Sequence, residues 1–256
     1  LAFSLSSANQ VVLREGPARG FSRNFLSLAE DATIAGDYFA FSDQDDIWYP
    51  TKLERALRWL QSIPASTPAL YCSRTEIVDH ELRNIGLSPL FRRKPSFQNA
   101  LVQNVGGGNT MVFNESAKRL FEFTRDVKVI SHDWWAYQAV SAIGGRVYYD
   151  PEPSVKYRQH GFNQLGSNSS FTARVHRIRQ LFSGTLREWS NINIQALQLL
   201  LSCFDDANRK TFEDFIAARS SSSPVARLYY FFRSGVYRQT IPAQMGLVTA
   251  AVLGKL

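Results

Sequence analysis

Three carboxylates, Asp43, Asp45 and Asp46, fall within four positions of the string Phe41-Ser42-Asp43-Gln44-Asp45-Asp46-Ile47-Trp48, directly after the apolar run Tyr38-Phe39-Ala40-Phe41. A strand that ends this way presents its acids together at the edge of a sheet, where a divalent cation relieves their repulsion. Oxygen-only ligands favour Mg²⁺ or Mn²⁺ over softer metals. Such ions share their remaining positions with phosphate and water, so the expected substrate carries phosphate. The plainer alternative is a solvated acidic turn capping the next helix. Trp48 and the aromatic run weigh against it, because surface turns seldom carry so much apolar area.

The elements that must hold this turn can be read from periodicity. Residues 11–13 read as a short strand, and Phe25, Leu28, Ala29 and Ala32 have helical spacing up to a stop at Gly36. A strand over 38–42 is followed by Pro50 at a first helical position and an apolar face of Leu53, Ala56, Leu57 and Leu60. A further strand over 69–73 makes strand and helix alternate, which predicts a mainly parallel sheet flanked by helices with ligands outside the carboxyl ends of its strands. Beyond Glu76, the glycines at 106–108 precede a strand over 111–113, and a helix over 132–143 ends at Gly144-Gly145. Strands over 146–149 and 155–158 follow. From about 170 to 219 the pattern is helical; Ser220 to Pro224 breaks it, and a last helix from 225 to about 238 leads to an apolar tail. The expected division is an α/β domain over 1–168 and a helical, basic C-terminal extension over 169–256.

Asp43-Gln44-Asp45-Asp46-Ile47-Trp48, followed by Pro50 and Lys52-Leu53-Glu54, resembles the metal-binding segment of family 2 glycosyltransferases, in particular the bacterial rhamnosyltransferase-like branch. Gly20-Phe21-Ser22-Arg23-Asn24-Phe25 upstream, and His132-Asp133-Trp134-Trp135 and Tyr157-Arg158-Gln159-His160-Gly161-Phe162-Asn163 downstream, resemble the family's other motifs in order. The resemblance implies a GT-A-like, Rossmann-like fold and inverting, metal-dependent transfer of a sugar such as rhamnose. The donor would be a dTDP- or UDP-linked sugar, and the acceptor a growing bacterial surface polysaccharide or a lipid-linked glycan. It assigns Asp45 to the metal, Asp43 to the nucleotide ribose with Asn24 and Arg158 also on the donor, and Asp133 to catalysis as the acceptor's base. His160 would be a second metal ligand, which tilts the preference towards manganese. Gly107 and Gly108 in their loop, with Trp134 and Trp135 as a sugar-stacking wall, would line the acceptor pocket. Against these stand plain structural roles: first-turn helix charge for Asp133, an ordinary hydrogen-bonded His160, and a core position for the paired tryptophans. His132 departs from the Glu found there in many relatives. The resemblance also implies a family member lacking its first ~50–60 residues, about the length of a strand-helix-strand unit and its base-binding turn. Two other readings remain open: a phosphotransferase with Asp43 as nucleophile, and a fragment or acceptor-binding module that has lost donor binding.

The net charge of +7 is confined to one half of the sequence. Residues 1–150 hold 16 basic and 16 acidic side chains, whereas residues 151–256 hold 13 and 6. Arg174, Arg177, Arg179, Arg187, Arg227, Arg233 and Arg238 alternate with aromatics such as Phe171, Trp189, Tyr229 and Phe232, which suits an anionic membrane surface or equally a solvated basic face. No nucleic-acid module pattern accompanies them, so nucleic acid is not an expected partner. The apolar stretch over 245–253 is far short of the ~20 residues of a spanning helix. Cys72 and Cys203, in apolar contexts without metal-ligand spacing, suggest buried thiols in a reducing compartment, hence a cytoplasmic protein, peripheral at the inner face of the membrane if the arginines bind there.

Overall fold

A computed structural model describes residues 11–159 and 185–256. At its centre lies β3 (Ala69–Val78), whose first five residues are all buried, as a strand covered on both faces requires. The other strands are β1 (Tyr38–Ala40), β2 (Ile47–Trp48), β4 (Asn84–Leu87), β5 (Val112–Asn114) and β6 (Arg146–Arg158). They form one sheet in the order β1-β5-β3-β6-β2, with β4 added beside β3.

The expected mainly parallel sheet is corrected to a mixed one. β3 and β6 run parallel along their whole lengths with a register shift between Ser73 and Thr75, whereas the β1–β5, β3–β5, β3–β4 and β2–β6 pairings are antiparallel. Turn chemistry explains part of this: the Asp79 carboxylate accepts the backbone N–H groups of Glu81 and Arg83, each at 2.9 Å, and folds β4 back on β3. Residues 11–13 form no strand; Leu13 is 93% exposed. The two segments read as separate strands over 146–158 are one strand, β6, carried through its irregularity.

The helices are α1 (Phe21–Ala29), α2 (Lys52–Leu60), α3 (Phe97–Ala100), α4 (Glu115–Phe123), α5 (His132–Ala142), α6 (Thr185–Gln198), α7 (Asp206–Ser220), α8 (Pro224–Ser234) and α9 (Ile241–Val252). Every residue of α5 is buried except Asp133, so α5 is a central helix and not an amphipathic surface one. Gly144, at φ 77°, closes its C-terminal end in a left-handed conformation. The sequence pattern missed α4, whose start is marked by Asn114: its side-chain oxygen accepts the Ala117 N–H and the Ala69 N–H, both at 3.0 Å. The apolar tail is α9, which buries Leu247, Ala250 and Ala251.

The C-terminal helices share the core of the sheet: Phe97 packs edge-on against Phe204 with ring centroids 5.3 Å apart, and Phe204 in turn meets Phe212 at 5.5 Å. Cys72 is buried, but Cys203 is exposed, which corrects the expectation of two buried thiols. No helix among the described residues is long and apolar enough to cross a membrane.

A polar lock ties α2 to the central ladder. Tyr71 donates its hydroxyl to Asp150 at 2.6 Å, and Arg55 pairs with the same carboxylate while donating to the Pro153 carbonyl at 3.0 Å. Asp150→Ala is expected to lower unfolding free energy by about 1–3 kcal/mol in urea titrations, because it orphans the buried hydroxyl and half-buried guanidinium. Arg58→Ala, which removes an exposed pair with Glu54, is expected to cost no more than about 0.5 kcal/mol.

Candidate functional site

The acidic turn follows β1 and leads through β2 into α2. Asp46 is held from two directions: the Arg158 N–H at the end of β6 donates to Oδ1 at 3.2 Å, and the Asn109 amide donates to Oδ2. Asp43 sits half-buried beside Asp46, Asp45 and Asp133. Burial first, and then these neighbouring charges, push its carboxyl up to about 6. Burial likewise raises Asp46, opposed by its hydrogen bonds. The hydroxyl of Tyr157, on β6, is raised by burial and then by the same aspartates.

Lys52 faces this acidic pocket. It is completely buried, donates Nζ to the Asn109 carbonyl at 2.6 Å, and places that ammonium 3.4 Å from the centre of the Trp48 ring. Burial brings its amine down to about 7, against the pull of Asp46 and Asp43. Sequence reading missed Lys52 and Asn109 as site residues. The available signal was helical position: Lys52 follows the acidic turn at the start of α2, where no charge complement to the helix end explains a cation.

Two further regions build the wall. Gly108, in the short 3₁₀ turn Gly108–Thr110, passes so close to His132 that a methyl group there would overlap Nε2. His132 is buried with both ring nitrogens unpartnered among the described residues; it stacks on Phe25 at 4.3 Å and meets Phe41 edge-on at 4.8 Å. Burial lowers its pKa, so the ring is held neutral. Next to it, half-buried Asp133 accepts the Trp134 N–H at 2.7 Å and lies near enough to raise Asp43. The structure thus joins Asp43, Asp45, Asp46, Asp133 and the backbone of Arg158.

Other expected residues lie elsewhere. Trp134 and Trp135 cannot form a sugar-stacking wall: they are 7% and 0% exposed, and the Trp134 indole donates into the core, to the Ala100 carbonyl at 2.7 Å. Gly107 is exposed at the turn's edge. Asn24 is exposed on α1, packed towards Gly16. His160 and Gly161 to Asn163 fall outside the described residues, as do Phe171, Arg174, Arg177 and Arg179.

As the side chains stand, no group of three His, Cys, Asp or Glu among the described residues converges to hold a metal ion. The donor set still fits a hard cation, because half-buried Asp43 is raised by burial and by the neighbouring carboxylates, and Mg²⁺ commonly takes one or two carboxylates plus phosphate oxygens and water.

Fold and site together define an α/β protein with a carboxylate cluster at the ends of its strands. Comparison narrows the class. The chain is 30% identical over 174 residues, covering 62% of it, to the dTDP-rhamnosyl transferase RfbG of Shigella flexneri, of which 56% is covered. It is 23% identical over 171 residues to uncharacterized glycosyltransferases of Rickettsia typhi and Rickettsia prowazekii, covering 49% of each. The chain spans about half the length of these curated relatives. The chain is similar to bacterial glycosyltransferases, a dTDP-rhamnosyl transferase among them, in line with the resemblance its motifs carry. No family model and no solved structure matches it.

Gly108→Ala is expected to overpack His132 and cost about 1–3 kcal/mol, read as a lowered denaturation midpoint. The raised Asp43 carboxyl predicts a pH effect. Its folded value of about 6 lies above the ordinary 3.8, so the folded state binds the proton more tightly and this group's contribution to stability falls as pH rises from about 4 through 6. In metal-free protein, Asp43→Asn should therefore gain stability relative to the parent at pH 7 and lose that advantage at pH 4, as denaturant titration at both pH values would show.

Proposed function

We propose that this chain carries the catalytic region of an inverting, metal-dependent glycosyltransferase of family 2 and GT-A type. It would move a sugar of the rhamnose class from a dTDP- or UDP-linked donor to a bacterial surface polysaccharide or lipid-linked acceptor. The observation that carries this reading is the meeting of Asp133 with the Asp43–Asp46 turn, ninety residues earlier, in one half-buried pocket.

Bound at Asp45, Mg²⁺ or Mn²⁺ would supply countercharge to the departing diphosphate. Asp43 orients the nucleotide ribose, and Lys52, lodged between the acids and Trp48, holds the turn in shape. Asp133 accepts the proton of the acceptor hydroxyl as its oxygen bonds to the anomeric carbon and the bond to the diphosphate breaks; attack from the opposite face inverts the centre. Buried His132, caged by Phe25 and Phe41, fixes the start of α5 and so the place of Asp133.

A second reading, an acceptor-binding module without donor binding, is favoured by one observation: β1, which leads into the turn, is an edge strand paired only to β5 among the described residues. Membrane attachment through the C-terminal arginines has weaker support, because Arg233 is paired with Asp214, and Arg187 and Arg227 donate to the carbonyls of Gly254 and Ser222.

Calorimetric titration with dTDP-rhamnose and UDP-glucose in the presence of Mn²⁺ separates the two readings: saturable binding supports the transferase, and its absence supports the module. In a protein that transfers sugar, Asp45→Asn is expected to lower turnover ~10²–10³-fold. Asp133→Asn should lower turnover ~10²–10⁴-fold while leaving donor affinity nearly intact, because a base acts on the acceptor in the transition state. Equal losses in donor binding would move Asp133 out of that role.

A further inference from the structure

A second cleft, of about 920 Å³, opens at the other end of the β3–β6 ladder, between the start of β6, the end of α2 and the segment 91–95. It is lined by Arg92, Lys94 and Arg146, all exposed and without an ion pair among the described residues, and by no acidic side chain. Asp205, whose carboxylate lies beside Gly144 at the rim, is occupied in capping α7 through the Asn208 N–H at 2.7 Å. Arg93 stacks on Tyr237 at 3.4 Å and exchanges backbone hydrogen bonds with the Gln239 side chain, which pins the segment and leaves its two basic neighbours on the cleft. On the opposite wall Trp59 and Tyr148 stack with ring centroids 5.4 Å apart, and Tyr148 is 39% exposed.

Unpaired cations beside an exposed aromatic step suit a saccharide chain bearing carboxylates or other anionic groups. Planar guanidinium groups take the anions, and the flat apolar faces of sugar rings lie on the aromatic step. Tyr148 and Tyr157 pair with Tyr71 and Ile77 across the ladder, six residues apart on β3 or about 20 Å, so the two sites lie at opposite ends of the ladder. We infer that this cleft is a binding site for an acidic oligosaccharide chain, separate from the aspartate pocket. Its assignment to a glycan rests on the transferase reading; the cleft's charge and aromatic character do not.

The test is titration of the whole chain with a hexamer of galacturonic acid, maltohexaose and inorganic pyrophosphate, in the parent, in Arg92→Glu/Lys94→Glu and in Tyr148→Ala. The acidic hexamer should bind saturably, about tenfold tighter than maltohexaose, and each variant should weaken it about tenfold. Binding that both variants leave unchanged, binding of pyrophosphate as tight as the hexamer's, or no binding of the hexamer overturns the inference. The double variant should leave the thermal midpoint and any nucleotide-sugar affinity unchanged. Hexamer binding by a chain that binds no nucleotide sugar would sink the transferase reading and keep the cleft.

Discussion

The parallel ladder between β3 and β6 is the constraint on which the molecule turns. β3 and β6 are far apart in sequence, and pairing them commits the segment between to fold over the sheet. The ladder's carboxyl end delivers the Arg158 N–H to Asp46 and Tyr157 to the same pocket, while β2 adds along β6 and carries the acidic turn's exit with it. Its opposite end spreads Arg146 to Tyr149 across the basic cleft. One strand pairing therefore sets the position of two chemically opposite surfaces.

At the carboxyl end the fold tolerates an unfavourable arrangement. Four aspartates gather in a half-buried pocket, and a cation that faces them, Lys52, is itself so desolvated that its amine falls to about 7. Hydrophobic packing on either side holds the acids there: Phe25, Phe41 and His132 on one flank, Trp48 over Lys52 on the other. Local conflict sustained by surrounding structure is common at functional sites. At Asp150 the balance is opposite, since Arg55 and Tyr71 satisfy its carboxylate and the cluster ties α2 to the sheet.

The helical C-terminal part is bound to this arrangement through the core. Phe204 and Phe212 close over Phe97, Asn208 donates to the carbonyls of Ser141 and Ala142 at the end of α5, and Arg238 donates to the Val102 carbonyl at 3.1 Å. These contacts bury the far side of α5, so the helix bearing Asp133 is covered all round. Several of the arginines that give this half its positive charge are engaged internally, Arg233 with Asp214 and Arg219 with Asn191 at 2.6 Å.

The sequence alone determined the local elements and carried the resemblance to bacterial glycosyltransferases. Alternating apolar patterns placed α1, α2, β3 and α5, because helix and strand periods are written in neighbouring residues, and the Asp43–Asp46 turn declared itself by charge density. Tertiary structure decided what depends on distant partners. Strand direction was illegible because a short strand carries the same pattern in either orientation, so the sheet proved mixed. Trp134 and Trp135 read equally as wall or core until α3 and the Ala100 carbonyl covered them. Lys52 stood in the motif without a role, and only the approach of Asn109 and Trp48 shows it buried. The nearness of Asp133 to Asp43 is likewise a tertiary fact, made when a fully buried helix is drawn against the sheet by apolar contact along its length.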